Sequence, residues 1–88
     1  MQIVMLGEAM DYVKHEEGVV TLEMFGSIAR FKIGQMRTVH VDLKALVSID
    51  SIRDMNGMEL LTIDGHAPFY VGPGIALPFL NAWSDYRK

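Results

Sequence analysis

The stretch VVTLEMFGSIARFKIGQMRTVHVDL, residues 19–43, decides the fold because it contains two successive hairpin signals. Apolar and polar side chains alternate on both sides of Gly26, as they do in strands with one buried face. Gly26 stands where a two-residue type II′ turn needs glycine, and this turn sets Glu23 opposite Arg30, a favourable cross-strand charge pair. We predict an antiparallel hairpin whose apolar face consists of Val20, Leu22, Met24, Ala29, Phe31 and Ile33.

The length of the next turn decides which face the following strand buries. A two-residue loop at 34–35 would put Val39 and Val41 on the polar face, whereas a three-residue loop at 34–36 shifts the register by one. Because side chains alternate along a strand, that shift returns both valines to the face of Phe31. We therefore predict the three-residue loop or an equivalent bulge, with a polar face carrying Arg30, Lys32, Thr38, His40 and Asp42.

A second group of strands is predicted downstream. Alternating segments at 46–52 and 58–64 flank the dipeptide Asn56–Gly57, and the dipeptide Asp64–Gly65 follows the second segment. Both dipeptides favour two-residue hairpin turns. Counting from them, we predict one buried face made of Val47, Ile49, Met58, Leu60, Thr62, Ala67, Phe69 and Val71. The opposite face then carries Leu61, Ile63 and Tyr70, so we expect the terminal segment or a second subunit to cover part of it.

The sequence patterns at the two ends of the chain predict secondary structure in less detail. GPG at 72–74 breaks the sheet, and a proline at position 78 is tolerated only in a first helical turn. Phe79, Trp83 and Tyr86 follow at helical spacing, which predicts a C-terminal helix over an open end of the sheet. At the other end, QIVML (2–6) predicts a strand, and EAMDYVKHEEG (8–18) fits either a short helix or a hairpin arm that turns at 16–18.

Composition limits the functional classes. The 88 residues are half hydrophobic, which is typical of one globular domain. The absence of cysteine excludes disulfides, thiolate nucleophiles and cysteine-ligated zinc. No signal peptide or apolar run of about 20 residues is present, so we expect a cytoplasmic protein without a membrane span. The net charge of −3 argues against a general nucleic-acid binder, which usually needs a basic surface.

The predicted elements make a mainly β (α+β) chain: an antiparallel meander or partly open barrel of about six or seven strands, capped by a C-terminal helix. This element order resembles that of PH-like domains and of other small bacterial β barrels with a terminal helix. The resemblance lies in element order, so it implies a fold and no binding residue.

Candidate chemistry is sparse. The three histidines lack metal-ligand spacing, no serine has the context of a nucleophile, and no phosphate-binding loop occurs. His40 and Asp42 share one strand face, but solvated polar residues explain them better than a catalytic pair. We therefore expect no enzyme activity, no cofactor and no metal.

Our main hypothesis is a non-enzymatic interaction or assembly module that self-associates as a homo-oligomer, in a bacterial or phage context. Its predicted interface comprises Leu61, Ile63, Tyr70, Trp83 and Tyr86; the last two serve alternatively to dock the helix. The alternative hypothesis is binding of an anionic ligand or nucleic acid through a basic strand face that contains Arg30, Lys32, Arg37 and His40.

Overall fold

The computed structural model describes residues 12–45 and 47–87, which form seven strands followed by a helix. The first four strands make one antiparallel sheet and the last three make another, without closing into a barrel. The mainly β fold with a C-terminal helix is therefore confirmed, whereas the strand predicted at 2–6 lies outside the described residues. The elements are β1 (Tyr12–Glu17), β2 (Val20–Phe25), β3 (Ile28–Ile33), β4 (Arg37–Asp42), β5 (Ile49–Arg53), β6 (Glu59–Ile63), β7 (Phe69–Val71) and α1 (Pro73–Arg87).

The first sheet has the predicted registers. Gly26 has a φ of +57°, as the first central position of a II′ turn requires, and Glu23 lies opposite Arg30. The three-residue loop is also confirmed, since Ile33 pairs with Arg37. The apolar face predicted from alternation is accordingly the one turned to the core.

For residues 12–17, the structure selects the hairpin-arm alternative over the short helix. β1 pairs with β2 along its whole length and ends at Glu17, which lies opposite Val20. The turn consists of Gly18 and Val19, slightly later than the predicted 16–18. Gly18 has a φ of +63°, again the conformation of a II′ turn.

The predicted register of the second sheet is wrong by one residue. Phe69 lies opposite Leu61 rather than Leu60, and Ile49 lies opposite Ile63. Leu61 and Ile63 are consequently core residues, 0% and 1% exposed, and do not belong to an outer interface. The prediction that they share an outward face with Tyr70 is therefore wrong, because a one-residue shift exchanges the two faces of a strand.

Longer turns cause this shift. Asp54 donates its N–H to the carbonyl of Met58 at 2.8 Å, while its carboxylate accepts the N–H groups of Asn56 and Met58 at 2.9 and 3.0 Å. These bonds enclose three residues instead of the two expected for Asn56–Gly57. At the next turn, Leu61 lies opposite Phe69, which leaves one residue more between the strands than a two-residue turn at Asp64–Gly65 would allow.

An aromatic cluster joins the two sheets and the helix. The ring of Phe31 in β3 lies edge-on to Phe69 in β7, with centroids 5.0 Å apart, and to Phe79 in α1, with centroids 4.7 Å apart. Phe31 and Phe79 are fully buried. One side chain thus contacts all three structural layers, and such edge-to-face pairs are favourable beyond the area they bury.

The helix begins earlier than predicted. Pro73 occupies its first position, where a missing N–H costs nothing, and Pro78 lies inside the helix rather than in its first turn. Ile75, Ala76 and Phe79 form the buried face. At the other end, the guanidinium of Arg87 donates to the carbonyl of Ala45 at 2.8 Å, which ties the helix to the loop after β4. Within residues 12–45 and 47–87, no helix is long and apolar enough to cross a membrane.

We expect Phe31→Ala to lower the free energy of unfolding by about 3–5 kcal/mol, because the change leaves a cavity where the two sheets and the helix meet. That loss is a large part of the total stability of a small domain. Urea denaturation followed by circular dichroism measures it. The fully exposed Met36 supplies the control, since Met36→Ala should change stability by less than about 0.5 kcal/mol. Similar losses for both variants would contradict a central role for Phe31.

Candidate functional site

The outer face of the first sheet, which points away from the core, holds a buried carboxylate. Glu23 is only 8% exposed because long side chains from neighbouring strands cover it. It accepts a hydrogen bond from the hydroxyl of Tyr12 at 2.8 Å and from Nε of Arg30 at 2.9 Å. A second guanidinium nitrogen of Arg30 lies 2.7 Å away, and Nζ of Lys32 lies 3.5 Å away. The charge of Glu23 is therefore balanced within the chain.

These contacts shift the protonation of both acidic groups. The Tyr12 hydroxyl, followed by the Arg30 guanidinium, holds the pKa of Glu23 at about 2, although burial opposes this shift. The same hydrogen bond raises the pKa of Tyr12, since ionised Tyr12 could not donate to the carboxylate. Glu23 thus stays charged over the physiological range, as a permanent counter-ion to the basic side chains around it.

The predicted basic face is not one cluster of available cations. Arg30 and Lys32 approach Glu23, and His40 lies exposed opposite Arg30. Arg37 lies on the other face of the sheet: it donates to the backbone carbonyls of Ala67 and Pro68 and stacks over a core ring. Arg37 therefore connects β4 of the first sheet with the segment that precedes β7 of the second sheet.

Aromatic side chains lie at one end of the outer face. The rings of Tyr12 and Phe25 are 5.0 Å apart, and the guanidinium of Arg30 lies 5.1 Å above the Phe25 ring. Ile28 pairs with Phe25 across the turn and is also partly exposed. Sequence reasoning missed this patch, although the predicted hairpin register already placed Phe25 and Ile28 together beyond the last core pair.

The predicted interface residues are separated. Leu61 and Ile63 are in the core, whereas Tyr70 lies on the outer face of the second sheet and is 53% exposed. On the helix, Trp83 packs partly against the core and Tyr86 remains exposed. The structure therefore leaves Tyr70 and Tyr86 accessible at different places and does not unite the five residues in one surface.

A groove of about 510 Å³ lies between the β1–β2 turn and the start of the helix. The Glu17 carboxylate sits in it and accepts the N–H of Gly74 at 3.0 Å, although the two residues are 57 positions apart. It thereby satisfies a free donor in the first turn of α1. The groove is lined by Glu17, Gly18, Val19, Val20, Met58, Tyr70, Gly72 and Pro73.

The first sheet has two edge strands, β1 and β4, and neither has a second strand partner among the described residues. β1 is the terminal strand of its sheet and pairs only with β2 among the described strands. The two-residue turn makes Glu17 and Val20 a hydrogen-bonded pair, and such pairs alternate along an antiparallel ladder. The main-chain groups of Tyr12, Lys14 and Glu16 therefore point outward, away from β2.

The second sheet contains another buried carboxylate. Glu59 is 5% exposed, accepts a hydrogen bond from the Ser51 hydroxyl and lies 2.9 Å from the Arg53 guanidinium. The Ser51 hydrogen bond, followed by Arg53, lowers the pKa of Glu59. No histidine or second carboxylate joins it in a metal-binding group, and no such group occurs elsewhere in the described ranges.

Comparisons with protein-family models, with curated proteins and with solved structures found no match. The functional argument therefore depends on the geometry of this chain.

We expect Glu23→Gln to lower the free energy of unfolding at pH 7 by about 2 kcal/mol, because it removes a charged acceptor from Tyr12 and Arg30. The pKa of Glu23 in the folded chain, about 2, is below its ordinary value of 4.5. The difference in free energy of unfolding between the native chain and Glu23→Gln should therefore be largest above about pH 5. It should shrink as the pH falls towards 2, because Glu23 becomes protonated in the folded chain. Urea denaturation at pH 7 and pH 3 tests this, with the exposed Asp50→Asn as control. A native-to-variant difference that is the same at both pH values would contradict it.

We expect Gly72→Ala to disturb the contact between Glu17 and the helix, since an added Cβ would lie 2.0 Å from a Glu17 carboxylate oxygen. Losing this helix-end acceptor should cost about 1 kcal/mol. In a Glu17→Ala background the same substitution should cost clearly less, because the clashing group is gone. A double-mutant cycle by thermal denaturation measures the coupling. Strictly additive losses would show that the two positions are independent.

Proposed function

We propose that this chain is a non-enzymatic protein-interaction module that self-associates. The observation that carries the proposal is the open edge of β1. Exposed edges can template pairing with another strand, and proteins that must stay monomeric usually shorten, bend, charge or cover them. β1 has six residues, contains neither proline nor glycine, and has no second strand partner among the described residues, although the helix lies close to it. Its charged side chains are Lys14, Glu16 and Glu17.

The side chains of β1 support the same proposal. Tyr12 and Val13 are 38% and 42% exposed, so apolar surface is available on both faces of β1 at this end. Tyr12 also continues into the aromatic patch with Phe25. A partner strand at this edge would gain backbone hydrogen bonds from the ladder and apolar contacts from both faces.

Anion binding has weaker support from the same geometry. Two of its proposed cations are already bound within the chain, Arg30 by Glu23 and Arg37 by backbone carbonyls. Recruiting Arg30 to a phosphate would leave Glu23 buried without its main cation, which is costly. Lys32 and His40 alone form a small and largely solvated basic surface.

The test blocks the open edge without breaking the sheet. Because the N–H of Lys14 points away from β2, Lys14→Pro removes a donor from the open edge and leaves the internal ladder intact. We expect the native chain to show a mass above that of the 9.9 kDa monomer, rising with concentration in light scattering, and Lys14→Pro to remain monomeric.

A matched control uses the other edge of the same sheet. Residues of β3 alternate between β2 and β4, so the N–H of His40 in β4 also points outward, and His40→Pro makes the same chemical change there. We expect His40→Pro to self-associate like the native chain. A native chain that is monomeric at every concentration would refute the proposal, as would equal masses for the native chain and Lys14→Pro.

A further inference from the structure

We infer that two copies of this chain pair through their β1 strands in antiparallel orientation, about a two-fold axis that passes between the two His15 residues. The two four-stranded sheets would then form one continuous sheet. This inference rests on the proposed self-association and specifies its register.

Backbone geometry limits the choice of register. A two-fold axis perpendicular to the sheet keeps each face on its own side, so residues that oppose one another must belong to the same face. The groups available for hydrogen bonds belong to Tyr12, Lys14 and Glu16, so these residues must form the hydrogen-bonded pairs. Four registers centred within β1 meet both conditions, with the axis at Val13, Lys14, His15 or Glu16. The axis at Val13 sets Tyr12 against Lys14 and brings no opposite charges of β1 together.

Charge favours one of these four registers. An axis at Lys14 sets Lys14 against Lys14 of the second copy, and an axis at Glu16 sets two glutamates against each other; both arrangements are unfavourable. An axis at His15 sets Lys14 against Glu16 of the second copy, twice by symmetry. Both side chains are largely exposed, 47% and 64%, and their charged ends already lie 3.5 Å apart within one chain.

The alternating charges therefore select one pairing and oppose the neighbouring ones. Charged residues on an edge strand protect it from indiscriminate pairing. Here, Lys14 and Glu16 have opposite charges, so one register pairs them and the two neighbouring registers set like charges against each other. Specific interfaces commonly combine attraction in one arrangement with repulsion in the others. The occupant that fits the open edge best is a second β1 strand.

A cysteine at the axis tests the register directly. In the inferred pairing, the two His15 residues form a non-hydrogen-bonded pair with Cα atoms about 4.5 Å apart, a distance that a disulfide spans. The chain has no other cysteine. We expect His15→Cys to form a disulfide-linked dimer rapidly under mild oxidation, and the exposed Asp50→Cys to do so only slowly.

Mixed cysteine variants report the competing registers. An axis at Lys14 brings Val13 opposite His15 of the second copy, and an axis at Glu16 brings His15 opposite Glu17. Preferential cross-linking of Val13→Cys with His15→Cys, or of His15→Cys with Glu17→Cys, would overturn the inferred register. Preferential self-cross-linking of His15→Cys supports it.

A charge reversal provides an independent test. Glu16→Lys turns both intermolecular attractions into repulsions and should weaken self-association by roughly tenfold to a hundredfold. Mixing Glu16→Lys with Lys14→Glu restores complementary pairs, so the two variants should form a heterodimer, with circular dichroism confirming that each is folded. If the native chain self-associates but Glu16→Lys does so equally well, the register is wrong while the proposed function stands. If the native chain is always monomeric, both fail.

Discussion

The packing of Phe31 is the interaction on which the rest of the structure depends. Its ring contacts Phe69 in the second sheet and Phe79 in the helix, so one side chain holds together three layers that share no continuous ladder. The open architecture requires such a contact. In a closed barrel, backbone hydrogen bonds would connect the strands all the way round, whereas here side-chain packing must connect the two sheets.

Polar contacts between distant residues complete this assembly. Arg37 reaches from the first sheet to the backbone before β7, Glu17 reaches from the first hairpin to the start of the helix, and Arg87 reaches from the helix to the loop after β4. Each of these side chains binds a backbone group of an element that is distant in the sequence. These charged residues therefore hold distant elements of the fold together, and fewer charged groups remain to bind a ligand. The proposed interaction accordingly rests on the exposed edge of β1.

Part of the candidate site follows from the sequence. The Gly26 turn sets Glu23 beside Arg30, and the three-residue loop sets Arg30 beside His40, so the outer polar face was predictable from local rules. The burial of Glu23 was not predictable, because it depends on a contact with Tyr12. The sequence around Tyr12 fits a helix as well as a strand. The open edge was equally hidden, since strand order at a sheet boundary depends on which elements pair over long distances.

By itself, the sequence determined two of the three hairpins of the first sheet, those that turn at 26–27 and at 34–36, and the presence of a C-terminal helix. Glycine at the turns, alternation along the strands and helical spacing near the end are local signals, and each acts within a few residues. Only the tertiary structure decided the register of the second sheet and the roles of Arg37 and Glu17. Asp54 lengthens one turn through its own hydrogen bonds, and burying Leu61 and Ile63 between two sheets favours the resulting register. These features depend on the free energy of packing between segments that are distant in the chain. A local sequence pattern does not reveal that free energy.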